Sequence, residues 1–430
     1  ARDASLLFNV FHTLKDKIGR DWEALMSASL ARVNFAMEQD GMRSICFDKA
    51  NSYRIASAEL LEYTRPQDVI KNETLVHESE IRELIELLPE DLRSKLVQDN
   101  TDSEPTHIAK YALSDIVLDV GREPWCWMEN ERIILANEKG RKVTKDEIDA
   151  IISNIGGFGT DNRAGLEQKL HRISGMRDRE GNVVGLTMRV GRWFRGNAAM
   201  LADFLLGCDK SVLILGGPGS GKTTIVREAV RVLAEHHNVC VVDTSNEIAG
   251  DGTIPHPCIG LARRMMVPSL DEQSRVMVEC VQNHTPQIMV IDEIGRPREV
   301  EAARTVKQRG VRMIASAHGD LRNIIKNKEL RGLVGGIESV TLGDAAAKEE
   351  MERKGSQGGA RGISKTKTQR AGEPTFDVIV EVCREKLHEW RIVGDTAAAV
   401  DAVLDGRQYN AQLRVRDPRN TAVFLELKKA

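Results

Sequence analysis

The sequence lacks a charge field of one sign: 61 Lys and Arg stand against 64 Asp and Glu, a formal net charge of −3. No global attraction to nucleic acid or to a membrane surface follows, so any such binding has to come from a local patch. Paired cysteines are also missing. The seven present, Cys46, Cys126, Cys208, Cys240, Cys258, Cys280 and Cys383, are scattered, odd in number and never spaced C-x-x-C. That argues against a disulfide framework or a zinc site and for a reducing compartment. No apolar run approaches the ~20 residues that cross a bilayer, so no transmembrane segment is expected. No signal peptide opens the sequence. What remains is an ordinary globular composition, 41% hydrophobic and 29% charged, in 430 residues, enough for about two or three domains.

The most informative stretch is 211–224, Ser-Val-Leu-Ile-Leu-Gly-Gly-Pro-Gly-Ser-Gly-Lys-Thr-Thr. Val212–Leu215 reads as a buried strand, Gly216, Gly221, Lys222 and Thr223 fit G-x-x-x-x-G-K-[ST], and a helical stretch follows from Thr224. Gly216, Gly217, Gly219 and Gly221, with Pro218 and Ser220 between them, let the backbone turn and bring its N–H groups close to phosphate oxygens. The helix start adds a positive end. Lys222 is placed to reach β- and γ-phosphates and the Thr223 hydroxyl to ligate Mg²⁺, so Gly216–Thr224 is the expected ATP-binding segment. A plain glycine turn between a strand and a helix is the alternative, and the flanking elements speak against it.

The rest of the chain divides by composition. Residues 1–75 carry helical spacing (Leu6, Leu7, Val10, Phe11, Leu14) and no catalytic spacing. Residues 76–196 read as an α/β domain: a helical pattern over Ile81–Leu96 broken near Pro89, a strand over Ser114–Val120 with Arg132–Ala136 as its partner, a helix over Val143–Ile155 begun by Thr144, and a strand over Val183–Val190. Residues 197–344 alternate strand and helix, the signature of a parallel sheet wrapped by helices. Its strands are expected at 211–216, 239–243, 287–292, 311–317 and 338–342. Residues 345–372 read as a Gly-rich linker: Arg353–Arg370 holds six basic residues and no acidic one. Residues 373–430 add a hairpin over Thr375–Cys383 and Leu387–Val393, a helix at 395–407 and a tail of strand-like runs. Arg384 and His388 form an R-x-x-x-H string that straddles the hairpin turn, and it reads as coincidence.

Ligands of such sheets bind at the carboxyl ends of the strands, where the other candidates lie. In Gln287-Ile-Met-Val-Ile-Asp292-Glu293 an apolar run ends in two acids. Asp292 fits a Mg²⁺-holding acid and Glu293 a base that orients the attacking water. Glu247, after Asp243 and the second strand, is the rival base or a member of the metal shell. His318, or less readily Ser316, is placed to sense a γ-phosphate, and a structural histidine is the competing reading. Arg263 and Arg264 are either an exposed basic pair or arginines sent to a neighbouring subunit's phosphates. Arg189 and Arg192, near Arg195, are the runners-up.

The runs Val-Asp-Thr-Ser-Asn-Glu-Ile-Ala-Gly-Asp-Gly-Thr-Ile-Pro-His-Pro (242–257), Ala-Arg-Arg-Met (262–265), Ile-Asp-Glu-Ile-Gly (291–295), Ala-His-Gly (317–319) and Leu-Val-Gly-Gly-Ile (333–337) fall in one order over about residues 79–405. Together they resemble the stage III sporulation protein AA family of ATPases and its plastid relatives, a branch of the secretion-ATPase group of RecA-like P-loop NTPases. The resemblance implies Mg²⁺-dependent ATP hydrolysis, a homo-oligomeric ring, hexameric by analogy, and a protein or nucleic-acid client. It implies Asp292 and Glu293 as the acidic pair and His318 as the histidine of secretion ATPases. For a plastid-type member beginning at Ala1 it implies a chloroplast stromal protein whose transit peptide has been removed. Competing functions are a nucleic-acid-dependent ATPase using 353–370 and a scaffold that binds nucleotide without hydrolysing it.

Overall fold

The computed structural model describes residues 52–55, 79–96, 113–128, 131–136, 138, 140–159, 161–343, 366–416 and 423–429. The chain forms two compact units, one comprising 65–197 with 227–273, the other 1–64, 198–226 and 274–430. Residues 227–273, expected within the 197–344 core, therefore cluster with the domain that precedes it.

The first unit is built on a six-stranded sheet whose neighbours all pair antiparallel. Its order is Glu131–Ile134, Trp125–Met128, Leu113–Asp119, Val183–Arg189, Arg172–Arg177, Arg163–Gly165. Glu131–Ile134 pairs with the Trp125–Met128 strand rather than with Leu113–Asp119, as the sequence suggests, because both tryptophans lie on a strand of their own. Alternation drives one face inward: Leu113, Ile116 and Leu118 are buried with Ile173, Leu186 and Met188. Against them pack Leu84 and Leu92 from helices 79–86 and Glu90–Leu96, Leu88 from the turn between them, and Ile148 and Ile151 from Lys145–Ser153. That last helix starts in a capping box. The Thr144 side chain accepts from Glu147 N, and Glu147 accepts from Thr144 N at 2.8 Å. The same unit holds Val239–Asp243 paired in parallel with Arg263–Met266.

The second unit carries four strands in parallel: Val378–Cys383, Val212–Gly216, Arg312–His318 and Ile288–Ile291, in that order across the sheet. All are short and apolar because both faces are covered; every residue of Val212–Gly216 is buried. Beyond Val378–Cys383 the sheet continues antiparallel through Lys386–Val393, Asn410–Arg416, Val423–Lys429 and Ser52–Ile55. The strand at Ser52–Ile55 corrects the helical reading of 1–75 at that point; the remainder of that segment lies outside the described residues. Two buried arginines tie the short helix Ala202–Gly207 to this sheet. Arg312 donates to the carbonyls of Phe204, Leu205 and Lys210, and Arg414 makes two bonds to Asp203, each 2.7 Å. A fork of donors meeting several acceptors is how a buried guanidinium recovers its lost hydration.

The last expected core strand is reassigned. Ile337–Thr341 pairs antiparallel with Thr366–Arg370 in a separate two-stranded sheet, and the fourth parallel strand is Val378–Cys383, the first arm of the C-terminal hairpin. Thr366–Arg370, expected as part of the linker, is thus a paired strand. Arg370 in it pairs with Asp401 of the helix Thr396–Leu404, Nε to Oδ1 3.1 Å. The basic run up to residue 365 and the charged helix expected at 348–352 lie outside the described residues.

Candidate nucleotide site

The strand Val212–Gly216 ends in a loop at 217–221, and the helix Lys222–Ala234 follows at once. The loop needs its glycines. Gly219 and Gly221 have φ of +70° and +86°, where a side chain is strained. A Cβ on Gly216 would stand 2.7 Å from the Val382 carbonyl oxygen of the neighbouring strand, so no larger residue fits. Gly217, Pro218 and Gly219 are exposed, while Ser220 turns in and donates to Gly217 O at 2.8 Å. Thr223 and Thr224 stand in the first helical turn, whose N–H groups have no intrahelical acceptor.

Lys222 is only 8% exposed and folds back under the loop, its Nζ donating to Gly216 O at 2.8 Å and Gly217 O at 3.0 Å. The same Nζ lies 3.4 Å from His318 Nδ1. His318 ends the strand adjoining the loop strand, in register with Gly216, and its Nε2 is 3.0 Å from Glu293 Oε1. An ammonium only donates, so His318 Nδ1 accepts and Nε2 carries the proton that Glu293 receives. Asp292 is buried directly after the strand Ile288–Ile291. Its carbonyl accepts from the Ser316 hydroxyl, and Ser316 O accepts from Ile294 N at 2.9 Å. Ser316 thus braces the acid-bearing turn and is not aimed at a phosphate. Glu299, which the sequence reading passed over, accepts from Gly295 N and Arg296 N and fixes the start of the helix Pro297–Gln308.

Glycines shaped for close approach, a helix N-terminus, a lysine, a hydroxyl in the first turn and a buried carboxylate are the donor set that a nucleoside polyphosphate with Mg²⁺ requires. Among the described residues no group of three or more His, Cys, Asp or Glu forms a metal cage.

The remaining candidates lie in the first unit. Asp243 is buried and accepts from Glu247 N, Ile248 N and Ala249 N, which winds the following loop; burial pushes its pKa up to about 6. Glu247 Oε1 takes the Arg172 guanidinium at 2.8 Å. Arg264 donates to the carbonyls of Gly250, Gly252 and Thr253, so its fork is engaged inside its own chain. Arg263, beside it, is exposed. Arg189 pairs with Asp115 at 3.1 Å, and Arg192 donates to Leu113 O. Sequence spacing gave no hint of a buried pair between His256 and Glu80, Nε2 to Oε1 2.7 Å, which joins the 242–257 run to helix 79–86.

The sequence profile described as sporulation stage III, protein AA, matches residues 78–370. The chain belongs to that family. It is 41% identical over 338 residues to the "Uncharacterized protein ycf45" of Porphyra purpurea, covering 78% of this chain and 55% of that one. It is 41% identical to Protein SEEDLING PLASTID DEVELOPMENT 1 of Arabidopsis thaliana, covering 78% and 46%. To the "Uncharacterized protein ycf45" of Cyanidium caldarium it is 42% identical, covering 72% and 88%. The chain thus spans about half the length of the first two relatives and most of the third. Among solved structures it is similar to the Legionella pneumophila ATPase DotB, with 14% identity, 64% and 73% covered and a TM-score of 0.38. It is also similar to the pilus retraction motor PilT with bound ADP, with 15% identity, 56% and 79% covered and a TM-score of 0.38. The second unit has the RecA-like P-loop fold: a parallel sheet whose buried strand runs through a glycine loop into a helix. Among the described residues, no helix is long and apolar enough to cross a membrane.

Proposed function

We propose that the protein is a Mg²⁺-dependent ATPase. The observation that carries this reading is the continuous line Glu293–His318–Lys222 beside the glycine loop, in which His318, at the end of the strand between the other two, links a carboxylate to a cation at the start of the loop helix. In this reading Gly216–Thr224 and Lys222 bind the phosphate chain, and Glu293 takes the proton of the attacking water while His318 holds its carboxylate in place. Thr223 and Asp292 supply the oxygens for Mg²⁺, whose chemistry is neutralisation of phosphate charge. Catalysis is positioning and electrostatic stabilisation, since the transfer asks little covalent chemistry of the protein. Glu293 is the water-activating base and not Glu247, whose carboxylate is held by Arg172.

The sequence resemblance to secretion ATPases supports a homo-oligomeric ring, hexameric in this reading, that acts on a macromolecular client. The relative named for seedling plastid development supports a plastid setting; the chloroplast stroma is the compartment this reading assigns. Exposed Arg263 is the arginine placed to complete a neighbour's site. Release of inorganic phosphate from ATP by the purified chain, dependent on Mg²⁺ and abolished in Glu293→Gln, tests the proposal. Binding of ATP without any turnover makes the protein a scaffold instead.

A further inference from the structure

Arg384 and His388 read in the sequence as an R-x-x-x-H string with no role. The structure gives Arg384 a specific place. The strand Val378–Cys383 runs parallel beside Val212–Gly216, with Val382 opposite Gly216. Parallel registry brings the residue that follows Cys383 out at the same end of the sheet as the phosphate loop. A Cβ on Gly219 would meet Arg384 Cδ and Nε at 3.7 Å and Cζ at 3.9 Å, so the guanidinium lies against the exposed crest of the loop.

Its surroundings leave its charge unmatched. Arg384 is exposed and makes no ion pair or side-chain hydrogen bond among the described residues. The acid on its own strand, Glu381, is committed to Leu321 N and to Arg391. Across the turn, Lys386 and Glu389 pair with each other. A guanidinium therefore stands beside a loop that already carries Lys222 and a helix N-terminus. Gathering like charges costs energy unless a multiply charged anion joins them.

We infer that Arg384 binds the phosphate chain of the nucleotide from the flank opposite Glu293; this rests on the nucleotide-site reading above. The strand order decides the flank. His318 and Glu293 lie on one side of the loop strand, at the ends of Arg312–His318 and Ile288–Ile291, and Arg384 lies on the other. A guanidinium fork matches two phosphate oxygens at once, which lysine's single point charge does not. Away from the attacking water it touches charge already present in the ground state, so it strengthens substrate and transition-state binding alike.

The test measures ATP and ADP affinity of the full chain by calorimetry, together with steady-state turnover, in wild type, Arg384→Ala and Arg384→Lys. Arg384→Ala should weaken ATP and ADP by the same factor, about tenfold, with KM raised and kcat nearly unchanged. Arg384→Lys should recover part of the loss. Because the residue is on an exposed turn, all three should melt together. Unchanged affinities in Arg384→Ala overturn the inference. So does a fall in kcat with ADP affinity intact, which moves the residue to the γ-phosphate. A wild-type chain that binds neither nucleotide removes the site reading itself, an outcome distinct from either.

Discussion

His318 stands between Glu293 and Lys222, its Nε2 3.0 Å from the Glu293 carboxylate and its Nδ1 3.4 Å from the Lys222 ammonium. One imidazole therefore bridges the lysine and the carboxylate that the proposed reaction uses as phosphate binder and base. Lys222 now donates to the loop carbonyls of Gly216 and Gly217, acceptors that a bound phosphate would replace.

Substitutions at three residues separate these roles. Lys222→Ala should abolish ATP binding, because the β/γ-phosphate charge partner is gone. Glu293→Gln should keep binding and lose turnover by ~10²–10⁴-fold, the usual worth of a positioned base. His318→Gln retains a donor for Glu293 and should retain more activity than His318→Ala. Single-turnover hydrolysis beside equilibrium binding checks all three. Wild-type turnover in Glu293→Gln would transfer the base role to Glu247.

Arg263 and Arg264, adjacent in sequence, should behave differently. Arg264→Ala leaves the carbonyls of Gly250, Gly252 and Thr253 without their donor and should cost about 1–3 kcal/mol of stability. Arg263→Ala removes an exposed side chain. It should lower turnover, with partial rescue on mixing with Lys222→Ala, since each supplies the part the other lacks. Thermal unfolding and mixed-subunit turnover give the two readouts. Absence of rescue counts against a shared site.

The phosphate loop could be read from the sequence because its chemistry is local. Gly219 and Gly221 sit where φ is positive, and the lysine and threonine follow without a gap. Asp292 and Glu293 were visible for the same reason, at the end of an unbroken apolar run. What stayed hidden was pairing. A strand buried on both faces reads alike wherever it sits in a sheet, so nothing in Val378–Cys383 announced that it adjoins the phosphate-loop strand. Ile337–Thr341 did carry a warning: Glu338 and Ser339 lie inside it, and both are exposed, as they could not be in a central strand. The bond of Ser316 to the Asp292 carbonyl and the approach of Arg384 to Gly219 join segments distant in sequence and leave no spacing signal.

His171 gives a pH dependence. Its Nε2 bonds Glu80 O at 2.9 Å and its Nδ1 accepts from Gly191 N at 3.1 Å. Burial lowers its pKa to about 4, against about 6.5 unfolded, with nearby Arg192 and Lys169 adding to the drop and Glu80 opposing it. A depressed folded value means that the unfolded chain takes up the proton first. Stability is therefore full above pH ~6.5, falls as pH drops toward ~4, and levels off below, a loss of ~3 kcal/mol. Burial of Asp243, raised to about 6, acts in the opposite direction, so the wild-type curve is a sum. The difference between wild type and His171→Asn isolates the histidine and should show this slope in urea midpoints. Parallel curves from pH 7 to 4 would show that His171 does not titrate in this way.

The basic run supplies the last prediction, which turns on where a deletion ends. Removal of 353–365 takes out four basic residues, Arg353, Lys354, Arg361 and Lys365, and a single aliphatic anchor, Ile363. Basal ATPase turnover should stay nearly constant, because none of the residues placed at the nucleotide site is touched. Extending the cut to 370 removes the strand Thr366–Arg370, and with it the ladder to Ile337–Thr341 and the pair between Arg370 and Asp401. An antiparallel strand deprived of its only partner in a two-stranded sheet exposes its hydrogen-bonding groups. The longer deletion should therefore lower the melting temperature while the shorter one does not. Turnover with and without single-stranded RNA or DNA, across salt, completes the test, since phosphate contacts weaken steeply as salt rises. If the shorter deletion abolishes a salt-sensitive stimulation by nucleic acid, the run is the contact of a nucleic-acid-dependent ATPase. If stimulation is absent in wild type, the client is not nucleic acid and the run has another role.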